Sequence, residues 1–291
     1  MTAEALELSP HDAGSSEIDA LVKSISIPPR PGVLIDLQRE IGAEDPDPSR
    51  IARLVGQDVA LTAAVIKSVN SPFYSLSRRA ETLEQSIALL GLRPIGTLVT
   101  GLVLRNSVRT DGPNLTRFWD VSGKRAYAMS RLVRGLKGIE PDLAQSFGLF
   151  CDVGIPLLMQ RFPDYAQTLM RANEEPTLSF TAVEHAAHNT DHALIGALMS
   201  RSWGLSQTVC VAIRSHHDYA IFEDAKVPAS VSRLIAMGLV SELAIQRFAR
   251  MNASTEWAKG GERAAGALML SDDDVDDWVD ELQEGFAAGA A

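Results

Sequence analysis

Apolar residues recur at three- and four-residue intervals along nearly the whole chain, and strand-like alternation is almost absent. Val33, Leu34, Leu37 and Ile41 make the first apolar stripe, and Leu61, Val65 and Val69 make another. The prolines of IPPRPG, residues 27–32, block helix before the first stripe. Asp47-Pro48 reads as an N-cap followed by a proline at the first helical position, and Asp58 opens the next helix, which Ser71-Pro72 halts. Thr82 with Gln85 predicts a capping box for a helix ending at Gly91, and Pro94 opens another running to about Val108.

Asp111-Gly112-Pro113 is the best candidate for a boundary between subdomains. Beyond it the pattern predicts a helix over residues 116–137 closed by Gly138, and a second over 147–158. Thr181 and Glu184 suggest a capping box for a short helix carrying His185 and His188 toward solvent. Asp191 or Thr190 caps a helix over 192–203, and Ser206 starts one ending in His216-His217. A long amphipathic helix over 227–250, a Gly260-Gly261 linker and a terminal acidic helix over 271–286 complete the series. The fold class is all-α. Its expected divisions are a disordered segment at 1–16, an N-terminal helical lobe at 17–110, a second helical lobe at 111–250, and a linker with an acidic helix at 251–291.

Composition narrows the function classes. The chain has 291 residues, 46% of them hydrophobic, enough for one large helical domain or two packed subdomains. Cys151 and Cys210 lie in apolar stretches without metal-finger spacing, as expected of buried thiols in a reducing cytoplasm. The first twenty residues lack the apolar core of a signal peptide, and no run reaches the roughly 18 consecutive apolar residues of a membrane span. A cytoplasmic location without membrane partners is expected. The net charge of −10 argues against general nucleic-acid binding, but it is unevenly spread: from Lys67 to Lys137 there are 12 basic and 4 acidic residues. Arg78, Arg79, Arg93, Lys124 and Arg125 are candidates there for an acidic partner or a nucleotide. Residues 271–284 carry 8 acids and no base. There is no phosphate-binding loop, dinucleotide fingerprint or nucleophile elbow, and neither Ser122 nor Ser215 has a recognisable base and orienting acid.

Seven segments in order resemble the HDOD family, a degenerate branch of the HD and HD-GYP hydrolases: IPPRPGVLIDL, DVALTAAVIKSVNSPFYSL, ETLEQSIALLGLRPIGTLV, FWDVSGKRA, FGLFCDVGIPLL, TDHALIGALMSRSWGL and AIRSHH. The resemblance spans about residues 17–217 and implies an N-terminal helical lobe packed on an HD-like lobe, in a bacterial signalling output module. HD enzymes hold divalent metals on His and Asp from several helices, and the metal activates water for attack on phosphorus. Position by position, the resemblance places Asp152 at the HD aspartate, His192 at the His opening the next helix, and His216 and His217 at the His-His pair. It also places Val121 where the first ligand His stands, Cys151 at the paired His and Pro156 at the usual Lys. No GYP motif follows His217.

Asp152, His192, His216 and His217 therefore either hold a single divalent metal, with Cys151 as a further thiolate, or survive as polar groups that bond one another and cap helices at the lobe junction. No other cofactor is implied. Losing two expected ligands weakens metal affinity and leaves the geometry for hydrolysis undefined. A non-catalytic regulatory module that binds other signalling proteins, with the groove between the lobes as contact surface, is the favoured expectation. The alternative is a divergent metal-dependent phosphohydrolase of nucleotides or cyclic dinucleotides. Glu184 is expected to serve only as a capping partner, and His11 to have no role.

Overall fold

Short polar caps and prolines cut the chain into helices largely where the hydrophobic pattern predicts them. The computed structural model describes residues 24–74, 76–108, 115–250 and 255–289, apart from the side chain of Phe73. The expectations for residues 1–16 and for a boundary at Asp111-Gly112-Pro113 lie outside the described residues.

The helices are α1 (Gly32–Ile41), α2 (Pro48–Gly56), α3 (Val59–Val69), α4 (Leu83–Leu90) and α5 (Leu92–Ser107). They are followed by α6 (Thr116–Leu132), α7 (Pro141–Phe150), α8 (Gly154–Arg161), α9 (Tyr165–Glu174), α10 (Phe180–His188), α11 (His192–Ser202) and α12 (Gln207–Ser215). The last are α13 (Ala229–Phe248), α14 (Thr255–Leu268) and α15 (Asp272–Ala287). Among the described residues there is no strand.

The caps behave as their chemistry requires. Asp47, Asp58, Thr82, Asp191 and Ser206 each accept an orphan backbone N–H in the first turn that follows. Gln85 turns its amide oxygen to the N–H of Glu81 rather than that of Thr82, so that box is shifted by one residue. Pro94 lies inside the first turn of α5, which starts at Leu92. Asn70 closes the corner after α3: its amide exchanges two hydrogen bonds with the backbone of Ala80, at 2.7 and 2.8 Å.

Four expectations are corrected. The helix predicted over 116–137 ends at Leu132 and tightens into a 3-10 turn, Val133–Gly135. The helix predicted over 147–158 is two helices, broken at residues 151–153. Pro156 is the physical cause: in a continuous helix it could not donate to the carbonyl of Asp152 and its ring would strike that group. With the break, Pro156 falls in the first turn of α8 and the N–H of Ile155 bonds the Asp152 carbonyl at 2.9 Å instead. The N-cap of α10 is Ser179, which accepts from Ala182, and not Thr181. Gly260-Gly261 is no linker but the buried face of α14, where a Cβ on Gly260 would stand 2.6 Å from the ring of Tyr219.

One continuous apolar core runs through the described residues, from Ile25 to Phe286. Trp203, almost fully buried, donates its indole N–H to the carbonyl of Pro28 at 2.9 Å, tying α11 to the segment before α1. The stretches Pro141–Arg161 and Ala229–Phe248 are long and apolar enough to cross a membrane, yet both are mostly buried inside this core. The acidic helix α15 folds back on α6 and α13. Val279, Leu282 and Phe286 are buried there, Phe286 packs beside Tyr127 and Phe248, and Arg131 and Arg247 pair with Glu281 and Asp276.

Candidate functional site

Gly154 lets α8 pack closely on the start of α11, since a Cβ there would lie 2.1 Å from the carbonyl oxygen of His192. That crossing brings the turn carrying Asp152 against the first residue of α11. The end of α12 supplies His216 and His217 to the same point. The four side chains predicted to converge do so: one ligand-type atom from each of Asp152, His192, His216 and His217 lies within 4.8 Å of every other. Asp152 Oδ1 is 3.3 Å from His216 Nε2 and 3.6 Å from His192 Nε2, and the two Nε2 atoms are 3.1 Å apart.

Each imidazole is held from behind. His192 Nδ1 meets Glu184 Oε2 at 2.7 Å, His216 Nδ1 meets the Ile213 carbonyl at 2.7 Å, and His217 Nδ1 meets Glu256 Oε2 at 2.6 Å. With acceptors on all three Nδ1 atoms, each Nδ1 carries a proton, and the Nε2 atoms of His192 and His216 are left facing Asp152 Oδ1. This is how protein metal centres orient imidazole ligands. The 3.1 Å spacing also fits two nitrogens each about 2.1 Å from one ion and roughly at right angles. These residues fit a single divalent metal.

The supporting acids are the groups that sequence reasoning missed. Glu184 is fully buried, accepts from Tyr165 Oη and from the backbone N–H of His192, and is a positioning group rather than a cap. Glu256, on α14, accepts from Tyr219 Oη at 2.6 Å and from Lys259 Nζ at 2.7 Å besides His217. His188, expected to face solvent, is buried beside Phe162 and bonds Thr168 Oγ1 at 2.9 Å; His185 is exposed.

Asp152 is divided between two neighbours. Its Oδ1 faces the histidines, while Oδ2 receives Arg125 Nη2 at 2.7 Å. The same guanidinium nitrogen donates to Glu242 Oε2 at 2.9 Å. Arg125 is buried, so its place among the surface cations is corrected: it is an internal counter-ion. Arg93 pairs with Asp142 and Arg131 with Glu281, acids from outside the basic stretch, so part of its excess is neutralised within the molecule.

Electrostatics follow from these contacts. Burial alone would raise the Asp152 carboxyl, but Arg125 and then the histidines hold it well below the usual range. Burial lowers His192 and His216, yet the acidic groups beside them outweigh it and both end above the ordinary imidazole value. Their Nε2 atoms are 3.1 Å apart, so charge on one ring disfavours charge on the other and the two titrate as a coupled pair. His217 goes the other way: burial, then the charge on His216, hold it down to about 4.

The cluster floors a cavity of about 460 Å³ whose walls are mainly apolar. Every lining residue falls between Leu115 and Glu256, so none of helices α1 to α5 contributes to it. Val121 and Cys151 both line it, the first as plain apolar wall.

Among known proteins, an uncharacterized protein of Treponema pallidum is 25% identical over 194 residues, which are 66% of this chain but only 38% of that relative. Less than two thirds of that protein's length is therefore represented here. A structure from Marinobacter aquaeolei, provisionally called a signal transduction protein, superposes with a TM-score of 0.73 at 20% identity, covering 98% of this chain and 67% of its own. One from Shewanella amazonensis, provisionally called a phosphohydrolase, gives 0.70 at 18% identity, covering 93% and 96%. At such identities the likeness concerns the fold. The HDOD domain model matches residues 27–219, well over half of the sequence, and the chain belongs to the HDOD family.

Proposed function

We propose that this chain is a non-catalytic regulatory module of bacterial signal transduction, acting by binding other macromolecules, on an HD scaffold that keeps one metal-type cluster. One observation carries the reading: Asp152 Oδ2 is already engaged by Arg125 Nη2 at 2.7 Å, which leaves that carboxylate one oxygen to offer a metal. A fixed guanidinium there supplies positive charge but no exchangeable position for water. Val121 and Cys151, standing where the family resemblance expects ligands, are apolar or soft groups. Asp152 Oδ1 with His192, His216 and His217 would then hold one divalent ion, whose contribution is to tie α11, α12 and the 151–153 turn together. A signalling protein remains the proposed partner, and the cytoplasm the proposed location.

The alternative, a metal-dependent phosphohydrolase, draws on the same convergent donors at the floor of a cavity. Elemental analysis and metal titration of the purified protein, beside a hydrolysis assay on bis(4-nitrophenyl) phosphate with Mn²⁺, separate the two. One ion per chain at most and no turnover is expected. Two ions per chain, with hydrolysis abolished by Asp152→Ala, would overturn the regulatory reading.

A further inference from the structure

A module that needed only its fold would fill the space above the histidines. Protein interiors are packed to the density of organic crystals, and voids larger than a water molecule are few. This one is about 460 Å³, in the range of pockets that enclose small ligands. Its sides are aliphatic: Val121 comes from α6, Ile155 and Met159 from α8, Leu169 from α9 and Leu239 from α13. An apolar body gains by leaving water against such walls.

The carboxylates of the lining are already engaged. Glu242 gives one oxygen to Gln246 and the other to Arg125. Glu256 gives one to Lys259 and the other to Tyr219 and His217. Asp152 gives Oδ2 to Arg125, and its Oδ1 belongs with the three histidines to the set that fits one divalent ion. An organic cation therefore finds no carboxylate oxygen open to it, and displacing one of these partners would leave a desolvated charge.

The mouth has the opposite character. Four lining residues are exposed, Arg117 on α6 and Ala166, Met170 and Asn173 on α9, and they mark where the cavity meets solvent. Only Arg117 among them is charged. Met170 is 65% exposed, and of the large apolar side chains exposed among the described residues it alone lines the cavity. An apolar lip beside one guanidinium, over an aliphatic shaft, is complementary to an amphiphile with an anionic head. Five N–H donors let Arg117 serve a neighbour and a carboxylate together. A head held at the lip also keeps part of its hydration, which a charge carried down the wall would lose.

We infer that the cavity is a receptor site for a small amphiphilic monoanion, in its simplest form a medium-length aliphatic carboxylate. The body lies against Val121, Leu169 and Leu239, and the head sits at Arg117, clear of the metal-type cluster on the floor. The inference deepens the regulatory reading above and rests on it for one point, that the occupant is the signal the module reports.

Octanoate, 1-octanol and octylammonium share one body and differ in the charge of the head. Titrated calorimetrically into the full chain at low ionic strength, octanoate should show saturable one-site binding. It should bind about three- to fivefold tighter than the alcohol and about tenfold tighter than the amine, as an exposed ion pair and its reversal predict. Added salt should shrink that preference. Arg117→Gln should remove it while keeping binding of octanol. Leu239→Trp, with Val121→Phe as a second filling variant should the first fail to fold, should abolish binding of octanoate and octanol at unchanged helix content. Chelation, or addition of Mn²⁺, should leave the order of affinities as it was. Absence of saturable octanoate binding, preference for the amine, or an Arg117→Gln protein that still prefers the anion would each overturn the inference. So would octanoate binding that appears only with Mn²⁺, since the head would then sit on the floor. Phosphodiester hydrolysis in the parallel assay sinks only the regulatory reading and leaves octanoate binding to be judged by itself.

Discussion

Replacing Arg125 with Met removes the cation from between Asp152 and Glu242 and leaves the hydrophobic stem nearly intact. The side chains of Arg125, Asp152 and Glu242 are 7%, 17% and 27% exposed, so water screens the trio far less than a surface pair. Breaking a buried pair by deleting one member costs about 3–5 kcal/mol, because the charges left behind stay desolvated. For a chain of this size that is a fall in melting temperature on the order of 10 °C. Urea denaturation of Arg125→Met, Asp152→Asn and the double variant measures it. The double variant should lose much less than the two single losses added together, since the neutral amide that replaces the Asp152 carboxylate no longer demands a counter-ion. Divalent metal should also stabilise Arg125→Met more than the parent, because both oxygens of Asp152 become available to it. A cost below about 1 kcal/mol, or simple additivity, would refute the role of Arg125 as counter-ion.

Acid should weaken the fold through His217. Its folded value of about 4 lies below the ordinary 6.5, so its contribution is present above pH 6.5 and is lost as pH falls toward 4. The limiting slope is about 1.4 kcal/mol per pH unit. Metal-free denaturation at pH 6 and pH 4 should show the loss, and His217→Phe should flatten it; equal stability at both pH values contradicts the assignment. Gly154→Ala pushes α8 off the His192 carbonyl and should cost about 1–3 kcal/mol while weakening metal binding. Unchanged metal titration curves would show that this crossing does not set the cluster. Phe286→Ala should cost about 3–5 kcal/mol and speed amide exchange in α15; unaltered exchange would mean the helix is held by its ion pairs alone.

The helical pattern and the four converging side chains were legible because each leaves a local mark: a stripe, a cap, or a residue at a family position. The supporting groups were harder. Glu184 bore a readable signal, since it shares one helix face with Phe180 and His188 and so interrupts a buried stripe. Arg125 did too, lying between Val121 and Met129 at four-residue steps. Their partners lie 8 and 117 residues away, and only the second separation is beyond any local rule. Glu256 had no such mark. Its role depends on α14 closing against Tyr219, and the glycine pair that allows this looks, in sequence, like a break.

The placement of α15 has a mechanical corollary. Phe286 sits between Tyr127 of α6 and Phe248 of α13, and those two helices also carry Val121, Arg125, Leu239 and Gln246 around the cavity. Anything that wedges α6 away from α13 from within must slacken that aromatic clamp. Loss of either ring contact would leave the acidic helix held by its remaining apolar residues and ion pairs.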